Sequence, residues 1–224
     1  MIKICGLRTA EHARAAADCG ADMLGLMLAP SRRQVSVSEV AQMRDALERR
    51  FAGGAWRPQL VGVFVNADQQ AIRAAVTQGG LDAVQLSGDE GLEWASILAG
   101  LALLKAVRLN GGQHEAAWLA DGPHHQYVRL LIDAHVPGSY GGTGVTGDWA
   151  KAAALASRHP IILAGGLTPE NVGTAIATVQ PWGVDVSSGV ETDGSKDPGK
   201  IQAFIAAARR AFDQVAAVQG GVNA

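Results

Sequence analysis

Two side chains that could carry acid–base chemistry stand at the ends of short apolar stretches. Cys5 ends the first such stretch, and Asp133 directly follows Leu130-Leu131-Ile132. A carboxylate beside buried apolar residues is costly unless it has a partner or a function, such as a helix cap, an ion pair or proton transfer. A thiol becomes reactive where cations or a helix N-terminus lower its pKa, although most free cysteines are buried structural residues. Cys5 and Asp133 are therefore candidate catalytic residues, and Asp185 is a similar carboxylate that could serve only to orient another group.

Glycine-rich segments follow three consecutive apolar stretches in the second half of the chain. Backbone N–H groups of glycine are not screened by a side chain, which suits the binding of an anion such as phosphate. Tight turns alone would explain one such segment, but three in succession favour phosphate binding. The candidate phosphate-binding residues are Gly142, Gly144, Gly165, Gly166, Ser188 and Gly189.

Two adjacent arginines, Arg32 and Arg33, follow the second apolar stretch. They could form a solvated basic loop, or one of them could bind a carboxylate through the two parallel hydrogen bonds of a guanidinium. The six histidines show no metal-ligand spacing with cysteines or carboxylates, and the chain has no Walker motif and no dinucleotide fingerprint. The sequence therefore predicts chemistry on a small phosphorylated molecule without a metal or cofactor.

The elements that must position these residues alternate regularly along the chain. Short apolar stretches predict strands, and Ala-rich stretches between them predict helices, including one that begins with Pro169 as its first residue. Eight such units divide 224 residues into 28 residues each, which fits a single-domain (β/α)₈ barrel over residues 1–224. A doubly wound open sheet is the alternative, since it shows the same alternation. The predicted strands cover residues 2–6, 23–28, 60–65, 83–86, 103–109, 128–134, 161–164 and 184–187.

A barrel of this kind places its active site at the C-terminal ends of the strands. The candidate residues all follow strands, so a barrel would bring them to one mouth. Phosphate sites are frequent after strands seven and eight, where Gly165-Gly166 and Ser188-Gly189 stand. Alternation along the first strand places Lys3 on the same face as Cys5.

The composition excludes several classes of protein. The chain is 48% apolar and 18% charged, with a formal net charge of -2, so it is neither disordered nor suited to nucleic acid or an anionic membrane surface. Its two cysteines cannot form a disulfide framework. The first residues lack the apolar segment of a signal peptide, and no stretch is long enough to span a membrane. These features predict a cytoplasmic protein, and the candidate residues described above predict a small-molecule partner.

Several motifs taken together resemble the phosphoribosylanthranilate isomerase family of tryptophan biosynthesis, over essentially the whole chain. The most specific are the two glycine-containing stretches near the end of the chain, in this order. The matching stretches are residues 3–6 (KICG), 62–66 (GVFVN), 84–86 (VQL), Asp133 with 137–138 (PG) and 141–144 (GGTG), 162–172 (ILAGGLTPENV) and 183–191 (GVDVSSGVE).

The resemblance implies an Amadori rearrangement of N-(5-phosphoribosyl)anthranilate and assigns a role to each candidate residue. Cys5 is expected to be the general base at C2 of the sugar, and Asp133 the general acid at the ring oxygen. Arg33 is expected to bind the anthranilate carboxylate. The glycine loops would bind the phosphate, and Asp185 would belong to the substrate-binding set. A monomer and a homodimer both remain open.

Two departures from the family pattern concern the mouth of the site. Ser87 stands where the family usually has histidine, and the family often reads Ser-Pro-Arg where this chain has Ser31-Arg32-Arg33. Arg33 aligns best, although Arg32 is an alternative.

A second hypothesis for the function is another phosphate-binding barrel, such as an indole-glycerol-phosphate synthase or a thiamine-phosphate synthase. The former needs a catalytic lysine inside the barrel, for which Lys3 and Lys105 are the candidates. A non-catalytic phosphosugar sensor is the third hypothesis.

Overall fold

Eight parallel strands close into a barrel in the computed structural model of the protein, which describes residues 1–54, 56–133 and 149–221. Each strand pairs with its neighbours in chain order, and β1 also pairs with β8. The predicted (β/α)₈ barrel is therefore confirmed, and the open sheet is excluded. The strands are β1 (Ile2–Cys5), β2 (Met23–Met27), β3 (Gln59–Phe64), β4 (Ala83–Leu86), β5 (Ala102–Val107), β6 (Val128–Ile132), β7 (Ile161–Leu163) and β8 (Gly183–Val186).

The strands are buried on both faces, as their nearly continuous apolar sequences predict. One face of each strand packs against the surrounding helices in the larger apolar core, for example through Ile2, Ile4 and Leu24. The other face fills the interior of the barrel with a smaller apolar cluster. That interior cluster comprises Met23, Val61, Ala83, Leu104, Ala106, Leu131, Ile162 and Ala164.

Helices follow the barrel strands, and their ends are capped by residues that the sequence supplies locally. The side chain of Thr9 accepts a hydrogen bond from the His12 N–H at the start of α1, and Ser36 and Glu39 form a capping box at the start of α2. Gly80 ends α3 with a φ of 68°, which favours glycine. The helices are α1 (Ala10–Asp18), α2 (Val37–Arg50), α3 (Gln69–Gly79), α4 (Trp94–Ile97), α5 (Gln113–Asp121), α6 (Trp149–Ala156), α7 (Val172–Val179) and α8 (Pro198–Gly221).

The prediction that Pro169 is the first residue of the seventh helix is wrong. The turn before α7 contains Pro169, and the helix begins at Val172. The side chain of Asn171 explains the delay, because it accepts a hydrogen bond from the Thr168 N–H at 2.8 Å and donates one to the Gly166 carbonyl at 2.9 Å. These two bonds hold the segment after β7 as a turn that faces the barrel mouth.

A short hairpin after β8 was not predicted. Its strands are β9 (Glu191–Thr192) and β10 (Ser195–Lys196), which pair in antiparallel fashion. The turn residues Asp193 and Gly194 have φ values of 50° and 76°, and Asp-Gly is a strong signal for such a turn. The hairpin brings Glu191 and Lys196 to the mouth of the barrel. None of the helices in the described part of the chain is long and apolar enough to cross a membrane.

Candidate active site

A cavity at the C-terminal mouth of the barrel brings most of the predicted site residues together. It is lined by both candidate catalytic residues, by the predicted arginine and by the two glycine loops that follow β7 and β8. Gly142 and Gly144 lie outside the described residues. The lining includes Cys5, Ser31, Arg33, Gln85, Ser87, Asp133, Gly165, Gly166, Asp185, Ser187, Ser188 and Gly189.

Cys5 is the last residue of β1, and its buried side chain points into the barrel. It pairs in register with Gly25 of β2, and this glycine makes room for the thiol. A Cβ added to Gly25 would lie 2.7 Å from Cys5 Sγ and 3.0 Å from Lys3 Nζ. Burial raises the pKa of the Cys5 thiol, while the nearby Lys3 ammonium acts in the opposite direction. The thiol and the ammonium therefore meet on the interior face of the barrel.

Lys3 and Asp185 form a buried ion pair, of which Asp185 lines the cavity. Lys3 Nζ donates a hydrogen bond to Asp185 Oδ1 at 3.0 Å, and their side chains are 1% and 9% exposed. The pairing follows from the register in which β1 lies beside β8 and sets Lys3 opposite Asp185. From the sequence, Lys3 was only a candidate for the lysine of an indole-glycerol-phosphate synthase, and Asp185 was expected in the substrate-binding set. The structure places Asp185 at the edge of the cavity with its carboxylate bound to Lys3.

Asp133 directly follows β6 and is half-buried at the cavity wall. Its N–H donates a hydrogen bond to the carbonyl of Val107 at 2.9 Å, which extends the pairing of β5 and β6 by one residue. The backbone of Asp133 is therefore held by the barrel itself. Cys5 and Asp133 belong to strands that are not adjacent, and their side chains line the same cavity.

Arg33 lines the cavity, whereas Arg32 does not. The side chain of Arg33 is 11% exposed and that of Arg32 is 60% exposed. Gly6 permits the close approach of Arg33 to the end of β1, because a Cβ at Gly6 would lie 2.5 Å from Arg33 Cδ. Of the two arginines, Arg33 is the one placed to contact a molecule in the cavity.

Glu191 fixes the guanidinium of Arg33 and was missed in the sequence analysis. Arg33 Nε and Nη2 donate to the two oxygens of Glu191 at 2.6 and 2.9 Å. Lys196 Nζ donates to Glu191 Oε1 and to the Ser187 carbonyl, both at 2.8 Å. Burial opposes ionisation of Glu191, but hydrogen bonds from Arg33 and Lys196 and their positive charges outweigh it and lower the pKa of the carboxyl to about 2. Glu191 ends the quoted motif of residues 183–191, but that motif did not indicate Arg33 as its partner. The Asp193-Gly194 turn is the local signal for the hairpin that places Glu191 and Lys196.

The two glycine loops form one wall of the cavity. Gly165 and Gly166 have φ values of 87° and 67°, a region of backbone conformation that L-residues with side chains rarely adopt. A Cβ on Gly189 would collide with the carbonyl of Leu167. Glycine at position 189 therefore allows the loop after β8 to pack closely against the loop after β7. Among the described residues, no backbone hydrogen bond of a loop or turn uses the N–H groups of Gly166, Ser188 or Gly189. These donors can therefore bind an anion.

Gln85 and Ser87 occupy the cavity wall at the end of β4. Gln85 Nε2 donates to Ser87 Oγ at 3.0 Å, and both side chains are buried. Gln85 Oε1 is buried and has no hydrogen-bond partner among the described residues. A buried amide oxygen of this kind is costly when it is unpaired, so it offers an acceptor to a donor group in the cavity.

The described residues contain no group of three or more His, Cys, Asp or Glu side chains that could hold a metal ion. The cavity thus combines a thiol, a carboxylate, a fixed guanidinium and a wall of backbone N–H donors. Such an arrangement can transfer protons on a molecule that carries a phosphate and a carboxylate.

Comparison with known proteins identifies the family. A family model described as N-(5'-phosphoribosyl)anthranilate isomerase matches residues 2–207. The chain belongs to the phosphoribosylanthranilate isomerase family. A phosphoribosylanthranilate isomerase of Roseiflexus castenholzii is 55% identical over 94% of this chain and 99% of its own length. One from Symbiobacterium thermophilum is 45% identical over 93% of this chain and 97% of its own length.

Solved structures of phosphoribosylanthranilate isomerases share the fold of this chain. The enzyme from Thermotoga maritima is 32% identical, with a TM-score of 0.78 over 93% of this chain and 98% of that chain. Another structure of the family, solved with reduced 1-(o-carboxyphenylamino)-1-deoxyribulose 5-phosphate, is 31% identical over the same shares of the two chains, with a TM-score of 0.75. For the Thermotoga maritima isomerase, monomers generated from a dimeric form have also been solved.

Proposed function

We propose that this protein catalyses the rearrangement of N-(5'-phosphoribosyl)anthranilate to 1-(2-carboxyphenylamino)-1-deoxyribulose 5-phosphate in tryptophan biosynthesis. The observation that carries the proposal is the convergence of Cys5, Asp133 and Arg33 on one cavity whose wall is formed by two glycine loops. Membership of the isomerase family supports the same reaction.

Asp133 acts first, as the general acid. It donates a proton to the ring oxygen of the furanose, the bond between that oxygen and C1 breaks, and the amine nitrogen forms a protonated Schiff base with C1. The positive charge on this nitrogen increases the acidity of the proton on C2. The backbone hydrogen bond from Asp133 to Val107 holds the acid at the end of β6.

Cys5 then acts as the general base. Its thiolate takes the proton from C2, and the electrons of the C–H bond form a double bond between C1 and C2 and neutralise the nitrogen. The resulting enol tautomerises to the ketone of the product. No cofactor is needed, because protons and electrons are only redistributed within the substrate.

The two ends of the substrate carry different anions, and the cavity has a site suited to each. Arg33 would bind the aromatic carboxylate. The N–H groups of Gly166, Ser188 and Gly189 would bind the phosphate, with Gly165 forming the turn. Fixing both ends limits movement of the sugar between Cys5 and Asp133, which lowers the entropic part of the barrier.

A direct assay tests this proposal. Purified protein is mixed with freshly made phosphoribosylanthranilate, and the loss of anthranilate fluorescence is followed. We expect the fluorescence to fall with the wild-type protein and to stay near the uncatalysed rate with the Cys5→Ser or Asp133→Asn variant. Tight binding of the substrate without turnover would contradict the proposal and support a phosphosugar sensor.

The position of the buried lysines argues against an indole-glycerol-phosphate synthase. Lys105 lies on the outer face of β5, where its ammonium donates to Glu90 Oε2 and to the Gly88 carbonyl, both at 2.8 Å. Lys3 lies inside the barrel, but it does not line the cavity and its ammonium is bound to Asp185. A thiamine phosphate pyrophosphorylase from Pyrococcus furiosus is 14% identical to this chain, with a TM-score of 0.64, and this likeness shows the fold alone.

A further inference from the structure

We propose that Lys3 is a positioning residue that stabilises the thiolate of Cys5, and that Asp185 holds the Lys3 ammonium in place for this purpose. The proposal rests on the proposed function for the use of Cys5 as a base. It assigns a role to the buried ion pair, which the reaction described above leaves without one.

The geometry brings the ammonium to the thiol. Lys3 and Cys5 are two residues apart on β1, so both side chains point into the barrel. A Cβ added to Gly25 would lie 2.7 Å from Cys5 Sγ and 3.0 Å from Lys3 Nζ, so both atoms border the space beside this glycine. The two atoms are therefore neighbours in a space that only glycine at position 25 leaves open.

A purely structural role explains the ion pair poorly. Removing two charges from water costs more than a salt bridge usually returns, and apolar residues of similar volume would fill the barrel at least as well. Much of the described barrel interior is filled in that way, by residues such as Val61, Leu104 and Ile162. The charged pair lies instead directly beside the thiol that the reaction needs.

Charged groups from three strands face Cys5, and their effects differ in sign. Burial raises the pKa of the thiol most strongly, and Asp185 of β8 also raises it. The positive charge of Lys3 lowers it, and the charge of Lys196 of β10 lowers it less. The charge of Lys3 outweighs that of Asp185 at the sulfur, so the pair as a whole favours the thiolate. Arg33 and Asp133 line the same cavity.

The reactivity of Cys5 with iodoacetamide tests the proposal without any substrate. The rate of alkylation is measured from pH 6 to pH 11, so that the plateau above the midpoint is included, and mass spectrometry of peptides distinguishes Cys5 from Cys19. The variants are Lys3→Met and the double variant Lys3→Met/Asp185→Asn, which avoids an unpaired buried carboxylate. Lys105→Met/Glu90→Gln is the matched control, because it removes another buried ion pair, joined at 2.8 Å, on the outer face of the barrel.

We expect the pH of half-maximal alkylation of Cys5 to rise by about one unit or more in both Lys3 variants, which slows alkylation about tenfold at lower pH. The control variant and Cys19 should keep the wild-type profile. If Lys3→Met does not fold, the double variant decides. A wild-type profile at Cys5 in the double variant would overturn the proposal, as would a change of equal size at every pH, since that would reflect access rather than ionisation.

Turnover of phosphoribosylanthranilate is measured on the same wild-type sample. Lack of turnover there would contradict the proposed function, whereas the alkylation profiles would still report on Lys3 and Cys5. In an active protein, the acidic limb of the profile of kcat/KM against pH should move upward in the double variant together with the alkylation midpoint. If that limb stays in place while the midpoint moves, the link between Lys3 and catalysis is overturned.

Discussion

Arg33 and Glu191 form a two-point ion pair at the barrel mouth, although 158 residues separate them in the sequence. Glu191 binds the edge of the guanidinium formed by Nε and Nη2. A carboxylate in the cavity would therefore meet the edge that carries Nη1. Glu191 thus sets the direction in which Arg33 can present its remaining donors.

Replacement of the two neighbouring arginines should affect catalysis unequally. Lysine keeps the charge but loses the planar pair of donors, and a hydrogen bond to a charged group contributes about 1.5–3 kcal/mol. We expect Arg33→Lys to reduce kcat/KM roughly ten- to a hundredfold. Arg32→Lys should have little effect, because the Arg32 side chain is 60% exposed and lies outside the cavity wall.

Steady-state kinetics of the two variants provide the measurement. The opposite order of effects would assign the carboxylate to Arg32. Equal and negligible effects would remove both arginines from substrate binding and would question the anthranilate end of the substrate.

Glu191 should make the stability of the protein depend on acidic pH. The pKa of its carboxyl is lowered from 4.5 to about 2 in the folded protein, so its ionised form stabilises the fold above about pH 4.5. This contribution is lost as the pH falls from 4.5 towards 2. After an allowance for solvent screening, it amounts to roughly 1–2 kcal/mol.

Urea unfolding at pH 7 and at pH 3 measures this effect. The free energy of unfolding should decrease less between these two pH values in Glu191→Gln than in the wild-type protein. Glu48→Gln is a suitable control, because the Glu48 side chain is 55% exposed and makes only a surface ion pair with Arg44 at 3.7 Å; it should keep the wild-type pH dependence. The same pH dependence in Glu191→Gln and wild type would show that Glu191 does not carry the effect.

Loss of either proposed proton-transfer group should abolish turnover without unfolding the barrel. Cys5→Ser replaces a thiol by a much weaker acid, and Asp133→Asn removes the transferable proton while keeping the shape. We expect each variant to lose several powers of ten in kcat. Circular dichroism should show an intact fold, and near-normal turnover in either variant would transfer that role to another residue.

The glycine loop after β7 should control substrate affinity. Gly166→Ala adds a methyl group at a φ of 67° beside the proposed phosphate site, so we expect KM to rise about tenfold or more while the acid and base remain. The backbone strain alone is tested by Gly100→Ala, where φ is 90° and no atom lies within 4 Å of an added Cβ. That control should lose stability by about 1 kcal/mol without a change in KM.

Inhibition by inorganic phosphate provides a second measurement of the same site. Inorganic phosphate should inhibit the wild-type enzyme competitively and inhibit Gly166→Ala more weakly. An unchanged KM and unchanged inhibition in Gly166→Ala would place the phosphate elsewhere.

The sequence alone determined the barrel and the location of its chemistry. Eight apolar stretches at regular spacing must be buried on both faces, and a closed parallel barrel satisfies all of them at once. Because the carboxyl ends of all eight strands then meet at one mouth, residues such as Cys5, Asp133 and Arg33 could be grouped without coordinates. Local signals were less decisive, as the late start of α7 after Pro169 shows. The side chain of Asn171 binds the backbone of Thr168 and Gly166 and holds this segment as a turn.

Only the tertiary structure decided which charged groups pair. Lys3 binds Asp185 because closure of the barrel sets β1 beside β8, and Arg33 binds Glu191 because a hairpin folds back over the mouth. Each pair joins residues more than 150 positions apart in the chain. Residue type gives each charge, but strand register and barrel closure determine its distance from every other charge, and electrostatic interactions depend on that distance.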